Sequence, residues 1–382
     1  MPREKISIII IHYNTPHYLQ TCFDAILKQT YENIELIFID NNSPNDEWKK
    51  TAEEFKEKFN ENPARNFKII ANKENLGYAK AANQGIKMAI GNTAAEPARY
   101  VVITNPDIIY TPEYFEKIIA RMEKDPKIAG ITGKVYKYDF DKKMPTDIID
   151  TVGLFAYRNR RIIDNGQGVI DTGQFSKEQE VFGISGACPL YRREALENVK
   201  IICERTARAR NEANNLALPV VRRSELIKYE YFDEDFFMYK EDVDLSWRFL
   251  LYGWKNLYYP EAVAYHGRGT GVYQRFSAKQ VFKNRKKLSQ FQKKYSFTNQ
   301  HLMQVKNETA KTFFKNFPSI FFKELFTLGY ITIFEPYLWR SVINFFKKLP
   351  SALNKRKIIM RNKKISDKEM SKYFQKKPKY LQ

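Results

Sequence analysis

Five short stretches of this chain combine residue types that could do chemistry. Asp40 ends an apolar run and is followed by Asn41, Asn42 and Ser43. An acid and amides at that point could hydrogen-bond a ribose or a base edge, and they are also the residues of a plain turn. Asn75, Gly77 and Tyr78 lead into an alanine-rich segment ending at Asn83. Gly77 permits a sharp turn or close backbone approach, and a helix starting there would favour an anion such as a diphosphate. Asn105-Pro106-Asp107 closes another apolar run. Its carboxylate could hold Mg2+ or Mn2+, which take oxygen ligands and share them with substrate phosphates. A tight turn with Asp as a helix cap is the competing reading. Glu241, Asp242 and Asp244 open a helical pattern behind Phe236, Phe237 and Met238. Acids in a first turn stabilise the helix dipole, while an aromatic wall raises a carboxylate pKa, as a general base requires. His266 precedes Gly267, Arg268, Gly269 and Gly271. Its imidazole could complete a metal site, and Arg268 on a Gly-rich loop could clamp phosphates. A surface His before a flexible loop is the alternative. His12 and His17 remain ambiguous, and His301 reads as structural.

Alternating strand and helix signals are expected to position these residues. Residues 6–11, 34–39, 67–71 and 100–104 read as strands, the first a β-branched run of the kind buried on both faces. Helical spacing follows each of them, including 47–59, 78–90 and 112–124. Such alternation implies an α/β fold with a mostly parallel sheet and flanking helices. Ligands then bind beyond the carboxyl ends of the strands, where Asp40, Gly77 and Asp107 would fall. From 136 to 272 short aromatic strands (154–157, 181–184) mix with turns, and 236–253 reads as one amphipathic helix. Residues 201–228 look like an insertion.

Taken together, in this order and spacing, the segments resemble the family 2 glycosyltransferases, which have the GT-A fold, a Rossmann-like sheet with flanking helices. The matching pieces are Ile8-Ile-Ile-Ile-His-Tyr-Asn14, Ile39-Asp-Asn-Asn-Ser43, Asn75 to Asn83, Asn105-Pro-Asp107, Gly183-Ile-Ser-Gly-Ala187, Glu241-Asp242 and His266. They span roughly residues 5–270, apart from the insertion. The resemblance is closest to the bacterial rhamnosyltransferase-like branch.

That resemblance implies roles. Tyr13, Asn14, Asp40 and Asn42 would line a nucleotide pocket, and Gly77, Asn83, Asn105 and Arg268 would lie near the nucleotide sugar or diphosphate. Asp107 and His266 would hold a divalent ion, Mg2+ or Mn2+. Asp242 would be the general base, supported by Glu241. Gly186, Ala187 and Trp247 would face the acceptor. The implied reaction is inverting, metal-dependent transfer of a sugar, rhamnose from dTDP-rhamnose as first guess. A lipid-linked or polysaccharide acceptor in bacterial cell-surface glycan synthesis would receive it. A UDP-sugar donor, galactofuranosyl or hexosyl, is the alternative on the same fold. A non-catalytic glycan- or nucleic-acid-binding protein is the alternative of another class. Asn105 stands where the commoner motif has an acid, and removes one charge from the site.

Composition sets the outer bounds. The 382 residues, 43% hydrophobic and 15% aromatic, suffice for a large packed core. Three scattered cysteines (Cys22, Cys188, Cys203) are too few for a disulfide framework and fit a reducing compartment. The apolar run near Met1 is too short for a signal peptide. Net charge is +20, yet residues 273–382 carry 26 basic and 5 acidic side chains, so the remainder is near neutral. The division expected is a GT-A domain over 1–272, with a nucleotide-binding half (1–135) and an acceptor half (136–272). A basic, Phe-rich amphipathic helical region (273–350) and a flexible Lys-rich tail (351–382) follow. The longest uncharged run among the phenylalanines, 325–334, is ten residues, which argues against a transmembrane helix. Helices lying on an anionic membrane surface with Lys and Arg outward fit better, giving a cytoplasmic, peripheral protein on the inner face of the cell membrane. The competing reading packs these phenylalanines onto the catalytic domain. No standard nucleic-acid motif accompanies the charge, so no nucleic-acid partner is expected.

Overall fold

The first strand, β1 (Ile6–His12), is buried along its whole length, as is β2 (Ile34–Asp40). β-branched side chains favour a pleated backbone, and strands with no polar face need cover on both sides. The cover follows the two-residue period of the strand. Ile6, Ile8 and Ile10 pack with α1 (Pro16–Leu27) and α2 (Glu47–Asn60). Ile9 and Ile11 pack on the opposite face with the helix α3 (Tyr78–Ile90), which follows β3 (Arg65–Ala71). β4 (Tyr100–Thr104), β5 (Ile108–Tyr110) and α4 (Tyr114–Glu123) complete the first half. These details come from a computed structural model that describes residues 3–91, 96–205, 227–267, 285–378 and 380.

The second half extends the same sheet. β6 (Ile128–Asp139) and β7 (Met144–Thr151) form a hairpin, and β8 (Leu154–Tyr157) pairs with β9 (Ile162–Asp164). β10 (Gln179–Val181), β11 (Leu190–Arg192), α5 (Arg193–Val199), β12 (Ile201–Arg205), β13 (Ile227–Glu230), α6 (Glu241–Leu251) and β14 (Lys255–His266) follow. The sheet order is β10-β14-β6-β11-β4-β1-β2-β3, with β5 on β14 and β7 on β6. β3, β2, β1 and β4 run parallel, and β11 is antiparallel to β4. Strand order reverses between β1 and β4, the kind of point where α/β sheets bind ligands. β12 and β13 pair with each other at the two ends of the 201–228 stretch; residues 206–226 between them lie outside the described residues.

Two expectations differ from the structure here. α6 starts at Glu241 rather than 236, because Tyr239 and Lys240 both adopt positive φ of 73° and break the helical path. Residues 351–378 form helix and strand where a flexible tail over 351–382 is expected. α7 (Gln290–Asn307), α8 (Ala310–Lys315), α9 (Phe317–Phe334) and α10 (Trp339–Arg361) run in sequence, so one helix crosses residue 350 with Pro350 inside it. α11 (Asp367–Met370) and β15 (Phe374–Gln375) follow, and β15 adds a parallel strand to β8. Phe374 is buried between Phe182 and Trp247, with the Arg160 guanidinium 3.7 Å from its ring centroid. A few apolar residues at the right spacing thus dock a lysine-rich segment whose average composition reads as solvated.

Lysines also enter the interior. Lys306 of α7 is fully buried between Asp244 of α6, at 2.8 Å, and Asp233. Lys355 of α10 pairs with Asp233, Glu230 (2.7 Å) and Asp235 (2.8 Å). Burial pushes the Asp233 carboxyl up, but Lys306 and Lys355 outweigh it and hold the group far below the usual range. Removing one partner from such a network leaves an uncompensated buried charge. Lys306→Met is therefore expected to cost roughly 3–5 kcal/mol in urea unfolding; a loss below about 1 kcal/mol would show that the network is dispensable.

Candidate active site

The carboxyl ends of β1 and β2 carry a hydrogen-bonded cluster. His12 Nδ1 lies 2.9 Å from Asp40 Oδ1, Ser43 Oγ donates to the same oxygen at 2.6 Å, and the Ser43 amide donates to Asp40 Oδ2 at 3.1 Å. Burial pushes the Asp40 carboxyl up, but these bonds outweigh it and hold it below its ordinary value. Asn14 and Asn42 take positive φ (54° and 66°) at the two strand ends, a conformation Asn tolerates better than most residues. Tyr13 is half exposed beside them. Asn41 is buried instead: its side chain bonds Asn75 Oδ1, Asn72 Nδ2 and the Leu76 amide, tying the β2 end to the start of α3. By type Asn41 and Asn42 are equal candidates for a ligand, and only the inward direction of the Asn41 side chain separates them.

Asp107 and His266 are 159 positions apart, yet they meet. β5 pairs antiparallel with the end of β14, Ile108 opposite His266, and the Gly267 amide donates to the Asp107 carbonyl at 2.9 Å. A Cβ at Gly267 would sit 2.1 Å from the Phe140 ring, so any other residue there would have to displace that ring. His266 Nε2 then lies 3.3 Å from Asp107 Oδ2, and His266 Nδ1 lies 2.8 Å from Asp150 Oδ2 on β7. Burial alone would lower the imidazole pKa; Asp150 and Asp107 outweigh it and raise it to about 9. Asp150 is fully buried and was not singled out in the sequence. A carboxylate behind a ligating His fixes the ring and its tautomer, but a single Asp in a strand gives no local signal of that role.

The first turn of α6 brings the acids to the same place. Asp242 Oδ2 accepts from the Gly186 amide at 2.8 Å, and Oδ1 accepts from the Val243 amide at 2.8 Å. A Cβ on Gly186 would come 3.3 Å from that carboxylate oxygen, and one on Gly183 would meet Ser246 Cβ at 2.5 Å. The small residues of the 183–187 segment thus let it lie flat on α6. Burial raises the Asp242 pKa and, together with Asp242, raises that of Glu241 to about 8. Glu241 Oε2 is buried with no hydrogen-bond partner among the described residues. Lys240 stands beside them, its pKa lowered by burial even though Asp242 and Asp164 oppose that shift.

Asn105, Asp107, Gly186, Ala187, Glu241, Asp242 and His266 therefore line one crevice of about 540 Å3, together with Tyr78, Asp164 and Lys240. Three expected residues serve elsewhere. Asn83 is buried, accepting from the Tyr231 and Phe232 amides and donating to the Phe232 carbonyl, so it anchors the chain before α6. Trp247 is fully buried against Phe182 and Phe374, one α6 face away from the acids. Gly77, at φ 77°, faces Phe237: a Cβ there would sit 2.5 Å from the Phe237 carbonyl oxygen, so packing rather than a ligand demands glycine. Arg268 lies outside the described residues.

Comparison with known proteins agrees with this architecture. Over 137 residues the chain is 32% identical to the glycosyltransferase GlyG of Streptococcus pneumoniae serotype 4, covering 36% of this chain and 40% of that protein. Over 277 residues it is 23% identical to an N-acetylglucosaminyl-diphospho-decaprenol L-rhamnosyltransferase of Mycobacterium tuberculosis, covering 69% and 76%. The chain spans 35–40% of the length of the first curated relatives it matches. The crystal structure of GalNAc-T7 with UDP, GalNAc and Mn2+ shares the fold, with a TM-score of 0.50 at 13% identity over 79% of this chain and 48% of that one. The family model for glycosyl transferase family 2 matches residues 7–200, half of the chain. With a GT-A sheet and the Asn105-Pro-Asp107 and Glu241-Asp242 segments brought to one crevice, the chain belongs to glycosyl transferase family 2.

Proposed function

We propose that this protein is an inverting glycosyltransferase that moves a sugar from a nucleotide-diphosphate donor to a glycan acceptor. The observation that carries this reading is that Asp107 with His266 and Glu241 with Asp242 line one crevice. Inversion at an anomeric carbon needs a base on one side and a stabilised diphosphate leaving group on the other. Asp242 would take the proton of the acceptor hydroxyl as the new C–O bond forms and the bond to the diphosphate oxygen breaks. Its two oxygens are already aimed by the Gly186 and Val243 amides, and its raised pKa suits a base better than an ordinary carboxylate. Glu241, protonated at neutral pH, could donate its O–H to a sugar hydroxyl, and its unpartnered Oε2 calls for such a ligand.

Asp107 and His266 fit a divalent cation, Mg2+ or Mn2+, as a two-residue donor set. One carboxylate and one imidazole converge, Asp150 orients the ring, and among the described residues no third ligand closes a cage. Donor phosphate oxygens would supply the rest of the shell, and the ion, when bound, would neutralise charge building on the leaving diphosphate. The cluster around Tyr13, Asn14, Asp40 and Asn42 would take the base and ribose. The relative named for L-rhamnosyl transfer to a diphospho-decaprenol-linked sugar supports dTDP-rhamnose as the first donor to test and a lipid-linked acceptor; with such an acceptor the reaction would belong to surface-glycan synthesis at the cytoplasmic face of a membrane.

Asp242→Asn should retain donor binding and lose roughly 10^2- to 10^4-fold in transfer rate, the usual worth of a general base; unchanged turnover would remove Asp242 from the mechanism. In a thermal-shift series, dTDP with Mn2+ should raise the melting temperature more than UDP with Mn2+, since stabilisation follows ligand concentration over Kd. Asp107→Asn should lose the Mn2+-dependent part of that shift; a larger shift with UDP would redirect the donor to a UDP-sugar. The folded Glu241 carboxyl lies well above the ordinary unfolded value of about 4.3. Its protonated form therefore stabilises the fold below that value, and the contribution fades as pH rises towards about 8. Glu241→Gln should gain stability relative to wild type across that window, read as a widening difference in melting temperature; a difference independent of pH would contradict it.

A further inference from the structure

The outward face of the C-terminal helices is apolar where a water-facing surface would be polar. Of the 18 residues of α9, only Ile320 and Ile331 are fully buried. Phe321, Phe322, Leu325, Phe326, Ile333 and Phe334 are between 48% and 74% exposed. Phe314, Trp339 and Phe346 add exposed rings on α8 and α10. The helix is long and apolar enough, by length and composition, to cross a membrane, contrary to what its ten-residue uncharged run suggests. Its two charged residues explain the difference: Lys323 and Glu324 pair at 2.6 Å, and Glu324 Oε2 lies 3.0 Å from His301 Nε2 on α7, so both are drawn towards the protein.

This arrangement is inverted relative to a helix that meets water, which hides its phenylalanines and exposes its charges. The only other acid between residues 309 and 366, Glu335, is buried and paired with Arg285 and Lys293, each at 2.9 Å. Every exposed charge in that stretch is therefore basic, Lys311, Lys315, Arg340 and Lys347 among them.

We propose that α9 lies in the interfacial layer of an anionic bilayer, with its exposed Phe and Leu side chains among the acyl chains and the flanking Lys and Arg at the phosphates. A second copy of this chain is a poorer occupant, because two such faces would oppose like charges. The helix lies on the surface rather than crossing it, because it is tied to the body along its length. Arg160 donates to Thr312 just before it, Glu324 holds its middle and Glu335 its end. An apolar cavity of about 420 Å3, lined by Phe313, Ile320 and Phe345 with Phe314 and Leu353 exposed at its rim, adds room suited to hydrocarbon rather than water. None of this depends on the donor chemistry.

Co-sedimentation of the full chain with vesicles tests the proposal. Binding is expected to phosphatidylcholine mixed with phosphatidylglycerol, and at least about tenfold more weakly to phosphatidylcholine alone, since each basic residue near an anionic leaflet contributes about fivefold. The Phe322→Glu/Phe326→Glu variant, changed at two exposed positions, should bind the mixed vesicles at least about tenfold more weakly, with its nucleotide-induced thermal shift intact. Trp339 fluorescence should be quenched by brominated lipid in the wild type. Should that variant fail to fold, Lys311→Gln/Arg340→Gln/Lys347→Gln should lose the anionic preference. No binding to mixed vesicles, undiminished binding of the folded variants, or a wild-type dimer that the phenylalanine variant dissolves without any vesicle binding would overturn the proposal, while leaving the nucleotide shift to judge the enzymatic reading separately.

Discussion

The buried Asp244 carboxylate holds this molecule together. It receives Lys306 at 2.8 Å, Asn307 at 2.7 Å and Arg248 at 3.1 Å, with no exposure to water. A charge so placed is tolerable only when fully paired. Satisfying it requires α7 to pack on α6 in one register, because Lys306 and Asn307 are adjacent and both must reach the same oxygen, Asp244 Oδ1. Arg248 in turn donates to the Val199 and Tyr231 carbonyls, pinning the chain before α6. The first turn of the same helix, two residues upstream, presents Glu241 and Asp242 to the crevice. The position of the acids is thus set by an ionic knot on the far side of their own helix.

The other half of the crevice depends on backbone rather than charge. Ile108 opposite His266 is a sheet pairing, and it places Asp107 next to the imidazole without any side-chain adjustment. Such a site tolerates little slippage, because a one-residue shift of register turns a side chain to the opposite face. Asp150 behind His266 belongs to a third strand of the same sheet, so the three groups are spaced by strand geometry. A rigid pair on strands meets a rigid pair on a helix N-terminus, and only the bound molecule need adapt.

Much of this was legible in the residues. The β-branched runs at 6–11 and 34–39 and the helical spacing behind them dictate a parallel sheet, and β1 and β2 lie where those runs are. That Asp107, His266, Glu241 and Asp242 come to one crevice follows from each sitting at the end of an element, where side chains can converge. Asn83 and Trp247 could not be separated from site residues by type: both are polar-capable groups near the motifs, and only packing reveals that one holds the 231–232 backbone and the other fills a core. The region 351–382 misled for a related reason. Its charge suggests solvent, but Lys355 is spent on buried acids and Phe374 on an aromatic nest, and neither partner is near in sequence.

The long helix α7 links the two chemistries of the molecule. Gln292 and Ser296 on its first half line the crevice, and Asn299 donates to the Met238 and Tyr239 carbonyls just before Glu241 and Asp242. Two residues on, His301 faces Glu324 of the apolar helix, and Gln304 and Val305 line the apolar cavity. From residue 296 to residue 305 an α-helix advances only about 14 Å, at 1.5 Å per residue. That rise is the spacing along α7 between the side chains that line the crevice and those that meet the apolar helix.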